Sequence, residues 1–196
     1  MAVAGIDEIT FGAVDLSTCR QFFLDWGLTL VEEAPQELVF ESLNGCRVRV
    51  AHSDKAGLPK GIEPDPTLRE VVWGVESQAD LDLYRSRMAS HPGFYDGGTR
   101  VACLDPNGLS VCVQVSVKRQ LNLLCAKTNT WSERGRVNQP APAYDRATPV
   151  EVGHVVFFVL DLNRTTAFYQ DVLGFQVADR YPGRGHCMRG APSGGH

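Results

Sequence analysis

One histidine, His154, lies inside the apolar run VEVGHVVFFVLD at residues 150–161. The valines and phenylalanines of this run are typical of a buried β-strand. A neutral imidazole at an inward-facing strand position is a good ligand for a divalent metal. A lone histidine in an apolar strand is also often a structural residue. The run alone leaves both interpretations of His154 open.

The run begins the third copy of a repeated pattern of strands and helices. In the first copy, a strand at residues 6–15 precedes a helix at 16–26 that Ser17 or Asp15 could cap and that Gly27 ends. Three short strands follow at 28–33, 37–42 and 46–53, the last two joined by Asn44-Gly45, a strong hairpin signal. This order predicts one β-α-β-β-β unit.

The pattern occurs again after a loop rich in proline and glycine at residues 57–66. A strand at 68–76 leads to a helix that Ser77 opens, and two strands joined by the turn Asp105-Pro106-Asn107-Gly108 complete the copy. Residues 5–117 are therefore predicted to form one domain of two units. Residues 118–149 lack periodicity and form a predicted linker, and residues 150–196 begin a third unit.

Composition and charge exclude several classes of protein. The chain has 19 basic and 23 acidic residues, a formal net charge of -4, and no basic tract of the kind that nucleic-acid binding needs. No apolar run approaches the roughly 18 residues of a membrane helix, and the N-terminal MAVAGIDEIT does not look like a signal peptide. The six cysteines form no C-x-x-C pair. We expect a reduced, cytoplasmic protein with no nucleic-acid or membrane partner.

Two stretches of sequence resemble the vicinal-oxygen-chelate superfamily, which includes glyoxalases, bleomycin-resistance proteins and type I extradiol dioxygenases. Residues 153–175, GHVVFFVLDLNRTTAFYQDVLGF, are similar to the family's opening strand and helix with its F-Y-x-x-x-L-G-F ending. Residues 104–114, LDPNGLSVCVQ, are similar to the Asp-Pro-x-Gly turn before a unit's last strand. The resemblance implies an α+β fold of paired β-α-β-β-β units, here one complete domain plus one partial unit.

The resemblance also implies where a metal would bind. Family ligands are typically a histidine on a unit's first strand and a glutamate on its last strand. In two-domain extradiol dioxygenases the first domain has lost its metal, and the second holds two histidines and a carboxylate, a set that suits Fe(II). Aligning Val159-Leu160-Asp161-Leu162 with Ala13-Val14-Asp15-Leu16 places His154 opposite Glu8.

The same comparison separates the two domains. In the second unit Glu70 occupies the position of Glu8, or Arg69 does if the register slips by one residue, and Cys112 takes the usual place of the last-strand glutamate. Two carboxylates and a thiol are an unlikely Fe(II) set, which implies a first domain without a catalytic metal. The implied metal ligands, for Fe(II) or Mn(II), are His154 and His196. His196 could equally be a tag remnant or a mobile terminal residue.

The implied function is an extradiol-type, ring-cleaving dioxygenase of catechol-like aromatic compounds. The chain would be a truncated and inactive form, cut off inside its second domain before the required carboxylate. Alternatives are a small-molecule-binding protein of the bleomycin-resistance type, with Trp73, Phe11 and Phe40 as lining candidates, and a glyoxalase-like isomerase. Because the third unit is too short to bury its apolar face alone, we expect it to pair with domain 1 or, preferably, with a second copy in a homodimer or higher oligomer.

Overall fold

The structure is a computed structural model that describes residues 3–64, 66–123, 129–135, 137, 138, 140, 143 and 145–190. Among these residues no helix is long and apolar enough to cross a membrane. The predicted α+β architecture of paired units is confirmed, because one large mixed sheet carries a few helices.

An eight-stranded sheet is the centre of the fold, in the order β2-β3-β4-β1-β5-β8-β7-β6. The two first strands, β1 and β5, pair antiparallel at the middle of the sheet, and each pairs in parallel with the last strand of its own unit. This symmetric order is what two β-α-β-β-β units produce when their first strands meet. The bounds are β1 Gly5–Ala13, β2 Thr29–Ala34, β3 Glu37–Glu41, β4 Arg47–His52, β5 Thr67–Val75, β6 Tyr95–Asp96, β7 Arg100–Leu104 and β8 Ser110–Val115.

Each helix begins at a side-chain cap. Helix α1 (Leu16–Trp26) begins at Asp15, whose carboxylate accepts from the backbone N–H of Thr18 at 3.0 Å, so Asp15 rather than Ser17 is the cap. It ends at Gly27, whose φ of 105° is a left-handed conformation that favours glycine. Helix α2 (Gln78–Met88) begins at Ser77 as the sequence predicts.

Two sequence predictions about strands need correction. The second unit contains a short strand, β6, that the sequence analysis missed. The predicted strand at residues 150–161 is wrong, because residues 151–159 belong to no strand of the structure. A strand requires a hydrogen-bonded neighbour, and the remaining strands of this unit, β9 (Gln176–Tyr181) and β10 (Gly185–Arg189), pair only with each other among the described residues.

Helix α3 (Leu162–Asp171) and the residues after it pack on domain 1 rather than standing free. The buried hydroxyl of Tyr84 in α2 donates to the carbonyl of Leu173 at 2.8 Å. The rings of Trp73 and Phe175 meet edge to face with centroids 5.0 Å apart. Domain 1 of the same chain, one of the two predicted partners, therefore packs against the helical side of the third unit. The other partner, a second copy of the chain, stays a prediction.

Replacing Tyr84 with phenylalanine tests this junction. The carbonyl of Leu173, a fully buried residue, would lose its hydrogen-bond donor. We expect a loss of about 1–3 kcal/mol in the free energy of unfolding, the usual cost of an unsatisfied buried polar group. Urea denaturation measures it. The matched control Tyr95→Phe changes an exposed tyrosine and should leave stability within about 0.5 kcal/mol of the parent chain; equal effects of the two changes would contradict the account.

Candidate functional site

The third unit repeats the geometry of the first unit side chain by side chain. Asp161 caps α3 by accepting from the N–H of Arg164 at 2.9 Å, as Asp15 caps α1. Phe157 stacks on Tyr169 with centroids 6.0 Å apart at 29°, and Phe11 stacks on Phe23 with centroids 6.5 Å apart at 28°. One ungapped alignment of residues 154–169 with residues 8–23 produces all three equivalences. That alignment places His154 at the position of Glu8.

The side chains of residues 155–160 alternate between a packed and an open face. Val155 and Phe157 pack against the core. Val156 and Phe158 are 84% and 86% exposed, and His154 is exposed as well. In the first unit the equivalents of His154 and Val156, Glu8 and Thr10, line a cavity, whereas Phe11 faces α1. His154 therefore lies on the face of its unit that corresponds to the cavity face of domain 1.

The cavity of domain 1 has a volume of about 180 Å³ and contains an ion-pair cluster. Glu8 is only 2% exposed, and both of its carboxylate oxygens accept from Arg49, each at 3.3 Å. Arg100 lies 3.5 Å from the same carboxylate. Glu37 pairs with both Arg49 and Lys55. Every one of these five side chains thus has an oppositely charged partner within the cavity.

Glu70, a half-buried residue, is a further carboxylate that lines the cavity. It lies beside Thr10 in the β1–β5 ladder and lines the cavity, so the position equivalent to Glu8 is Glu70 and not Arg69. The hydroxyl of Ser110 donates to Glu70 at 2.7 Å. Burial raises the pKa of the Glu70 carboxyl above its ordinary value, an effect that the hydrogen bond from Ser110 partly opposes.

The last strands of the two units carry an arginine and a thiol at equivalent positions. Arg49 pairs with Thr10 across the parallel β1–β4 ladder, and Cys112 pairs with Val72 across β5–β8. Burial, with a further effect of nearby Glu70, raises the pKa of the Cys112 thiol to about 12, so it is protonated at neutral pH. Arg49 is absent from the residues predicted from the sequence, although an alignment of the strand after Asn44-Gly45 with the strand after Gly108 pairs it with Cys112.

The described residues do not complete a metal centre. No group of three or more His, Cys, Asp or Glu side chains within them could hold a metal ion. His154 offers one imidazole to its open face, and His196 lies outside the described residues. One nitrogen donor is too few for the three-ligand site that the resemblance implies.

The remaining histidines of the described residues do not line the cavity of domain 1. His186 of β10 has its Nδ1 2.8 Å from the hydroxyl of Thr166, so its ring faces α3. His91 meets Phe168 edge to face, and His52 lies 3.9 Å from Asp54. The three aromatic residues proposed to line a binding cavity instead pack on the helical side of the sheet, against Phe23 or Phe175: Phe11, Phe40 and Trp73.

A family model and several solved structures match the chain. Residues 151–196 match the model of the Glyoxalase/Bleomycin resistance protein/Dioxygenase superfamily. The structures include a Mn(II)-bound glyoxalase from Novosphingobium aromaticivorans, with a TM-score of 0.66, 21% identity, and coverage of 96% of this chain and 58% of that one. No curated protein matches the chain by sequence.

Two dioxygenases show the same fold. A catechol 2,3-dioxygenase has a TM-score of 0.62 at 16% identity over 92% of this chain and 61% of its own, and the 2,3-dioxygenase LapB from Pseudomonas sp. KL28 has 0.62 at 15% over 95% and 65%. This chain thus spans about three fifths of the length of such structures. At these identities the likeness shows the vicinal-oxygen-chelate fold.

The raised pKa of Glu70 predicts a pH dependence of stability. The protonated carboxyl is favoured in the folded state, so its contribution is complete below the ordinary pKa of 4.5 and is lost as pH rises through the raised value. Glu70→Gln removes this titration and keeps an acceptor for Ser110. We expect the stability of the variant relative to the parent to increase as pH rises from 4.5 towards neutrality.

Urea denaturation at a series of pH values measures this difference. Glu63→Gln, a change at an exposed carboxylate, is the control and should give a smaller dependence on pH. A stability difference between Glu70→Gln and the parent that is constant or that falls as pH rises would contradict the assignment.

Proposed function

We propose that this chain is a form of an extradiol-type dioxygenase that cleaves catechol-like aromatic substrates. The chain has the vicinal-oxygen-chelate fold and matches the superfamily over residues 151–196. In this proposal His154 is a ligand of a divalent metal, Fe(II) or Mn(II). Domain 1 is the supporting, metal-free domain. The chain alone turns over little, because the described residues supply one of three facial ligands.

The position of His154 is the observation that carries the proposal. A structural histidine would be expected to pack or to hydrogen-bond within the fold, but His154 is exposed on the face opposite Phe157 and Tyr169. The apolar residues beside it on that face, Val156 and Phe158, are also exposed. An imidazole flanked by apolar side chains suits a metal site that excludes water and accepts an aromatic ring.

The ion-pair cluster supports a metal-free domain 1. Two guanidinium groups, those of Arg49 and Arg100, lie against the carboxylate of Glu8. A divalent cation at Glu8 would be repelled by both groups and would have to displace the bidentate contact of Arg49. The remaining last-strand donor, Cys112, is a protonated thiol.

A glyoxalase-type isomerase is the second candidate, because the Mn(II)-bound glyoxalase shares the fold over 96% of this chain. A binding protein of the bleomycin-resistance type is the third. The donor sets distinguish the first two: a glyoxalase site needs glutamate ligands on last strands, where Arg49 and Cys112 stand in domain 1, whereas the proposed dioxygenase needs no metal in that domain. This difference favours the dioxygenase.

Ligand binding and turnover separate the three candidates. Calorimetric titration with catechol, with and without Mn(II), should show binding that Mn(II) strengthens, and His154→Ala should remove this effect of Mn(II). Oxygen uptake with Fe(II) and catechol should remain close to background for this chain. Conversion of a hemithioacetal without oxygen uptake would support the isomerase, and catechol binding that ignores both metal and His154 would support the binding protein; either would contradict the proposal.

The metal proposal has its own prediction. His154→Ala should weaken Mn(II) binding, followed by the EPR signal of free Mn(II), by roughly tenfold or more, since losing even a residue that only supports a ligand costs about 10- to 100-fold. His52→Ala is the control histidine. Glu8→Gln and Glu70→Gln should leave Mn(II) affinity unchanged. Tight binding that depends on Glu8 or Glu70 would place the metal in domain 1 and contradict this division.

We further propose that the open face of the third unit mediates self-association into a homodimer or higher oligomer. Val156, Phe158 and Leu160 form a stripe that is 84%, 86% and 101% exposed. A contiguous exposed apolar stripe beside unpaired backbone favours association, and two copies of the same face would meet symmetrically.

Sedimentation velocity tests this association. We expect the parent chain to self-associate at micromolar concentration and Phe158→Ser to shift it to monomer. Trp26→Ser, a change at an exposed aromatic residue of α1, is the control and should leave the assembly intact. A monomeric parent chain would refute the proposal.

A further inference from the structure

A groove lies where the third unit packs on domain 1. Residues that follow α2, the turn after β7 and one side of α3 form its walls. Its volume of about 590 Å³ is in the range of roughly 300–1,000 Å³ typical of small-molecule sites, which often lie at domain junctions. None of Glu8, Glu70 or His154 lines this groove.

The floor of the groove is apolar. Phe168 of α3 and His91 meet edge to face with ring centroids 5.3 Å apart, so aromatic surface from both parts of the chain borders the same space. Aliphatic side chains complete this surface: Pro92, Leu104, Pro106 and Val172. Such a lining favours a flat, apolar ligand body.

The charged groups of the groove favour an anion near its Arg164 end. In the described part of the chain no carboxylate lies within ion-pair distance of Arg164. The carboxylate of Asp105 already accepts from the N–H groups of Asn107 and Leu109 and from the Asn107 amide, at 2.8–3.0 Å. The Asp105 carboxylate is therefore held by hydrogen bonds within its own turn and forms no ion pair with Arg164.

The opposite end of the groove holds charges of both signs. The guanidinium of Arg87 donates to the carbonyl of Val172 at 3.4 Å, which places it at the C-terminal end of α3, where Asp171 also lines the groove. Arg164 lies about two helical turns from Asp171, roughly 10 Å along the axis. The two ends therefore differ, with Arg164 as the cationic end.

We propose that this groove binds a small organic carboxylate with a flat apolar body, its carboxylate at Arg164 and its ring against Phe168. The site would exist only while α3 is docked on domain 1, because each part contributes one wall.

A titration of the full chain followed by ¹⁵N–¹H NMR tests the site with three probes. Benzoate combines ring and charge, benzyl alcohol keeps the ring without the charge, and acetate keeps the charge without the ring. We expect benzoate to shift the amide signals of Leu104, Gly108 and Phe168, and to bind more tightly than either other probe. The amide of Glu8 in the domain 1 cavity should not move.

Arg164→Gln should weaken benzoate roughly fivefold, the upper end of what an exposed ion pair provides. The control Arg146→Gln changes an exposed arginine that does not line the groove and should have no effect. The signals of Arg164→Gln outside the groove report whether the variant is folded. Equal affinities for the three probes, equal effects of the two substitutions, or shifts confined to the domain 1 cavity would each overturn the proposal.

Discussion

A chain of aromatic contacts fixes the third unit on domain 1, and the orientation of the candidate site depends on it. Phe175 contacts Trp73 of β5 and Tyr169 of α3, with ring centroids 5.0 and 5.7 Å apart, and Tyr169 in turn stacks on Phe157. Such pairs contribute about 0.5–1.5 kcal/mol each beyond their buried area. Once Phe157 is held inward, the side chains next to it, Val156 and Phe158, must point outward because side chains alternate along extended chain. His154 shares that outer face.

Equivalent positions of one fold carry different chemistry in the two parts of the chain. Glu8 is buried and held by two arginines, whereas its counterpart His154 is exposed and stands among apolar side chains. A buried carboxylate requires cationic or hydrogen-bonding partners, and Arg49 supplies them from the neighbouring strand. The fold thus sets where the side chains meet, and the residues at those positions decide whether the polar group forms an internal ion pair or is left open to solvent.

The local signals in the sequence predicted most of the fold. Some signals depend on chemistry within a few residues: the helix caps Asp15 and Ser77, the glycine that ends α1, and the Asp105 turn. The structure contains each of them, and it selects Asp15 over Ser17 as the cap of α1. The misses depend on distant partners. β6 is two residues long and exists through its pairing with β7. The segment at 151–159 has strand composition but no ladder partner among the described residues. The side of the sheet taken by Phe11, Phe40 and Trp73 follows from packing that composition does not reveal.

The candidate site was predictable in part for the same reason. Aligning the units located Glu8, Glu70 and His154, because each lies at the same distance before the residue that caps the helix of its unit. The arginine cluster required knowing which strands are neighbours, since Arg49 reaches Glu8 from β4 and Arg100 from β7. The metal role of His154 and His196, and the division at residues 117 and 150, remain predictions.

The most direct measurement of the central claim, that the metal-binding face belongs to the third unit, is paramagnetic broadening of NMR signals by Mn(II). Substoichiometric Mn(II) is added to the parent chain and, separately, to His154→Ala. Subtracting the broadening seen in the variant from that seen in the parent cancels the effect of Mn(II) bound at other histidines. The account predicts that the difference is centred on Val156 and Phe158 and spares Glu8, Thr10 and Glu70. Broadening centred on the domain 1 cavity, or a pattern that is the same in both proteins, would contradict it.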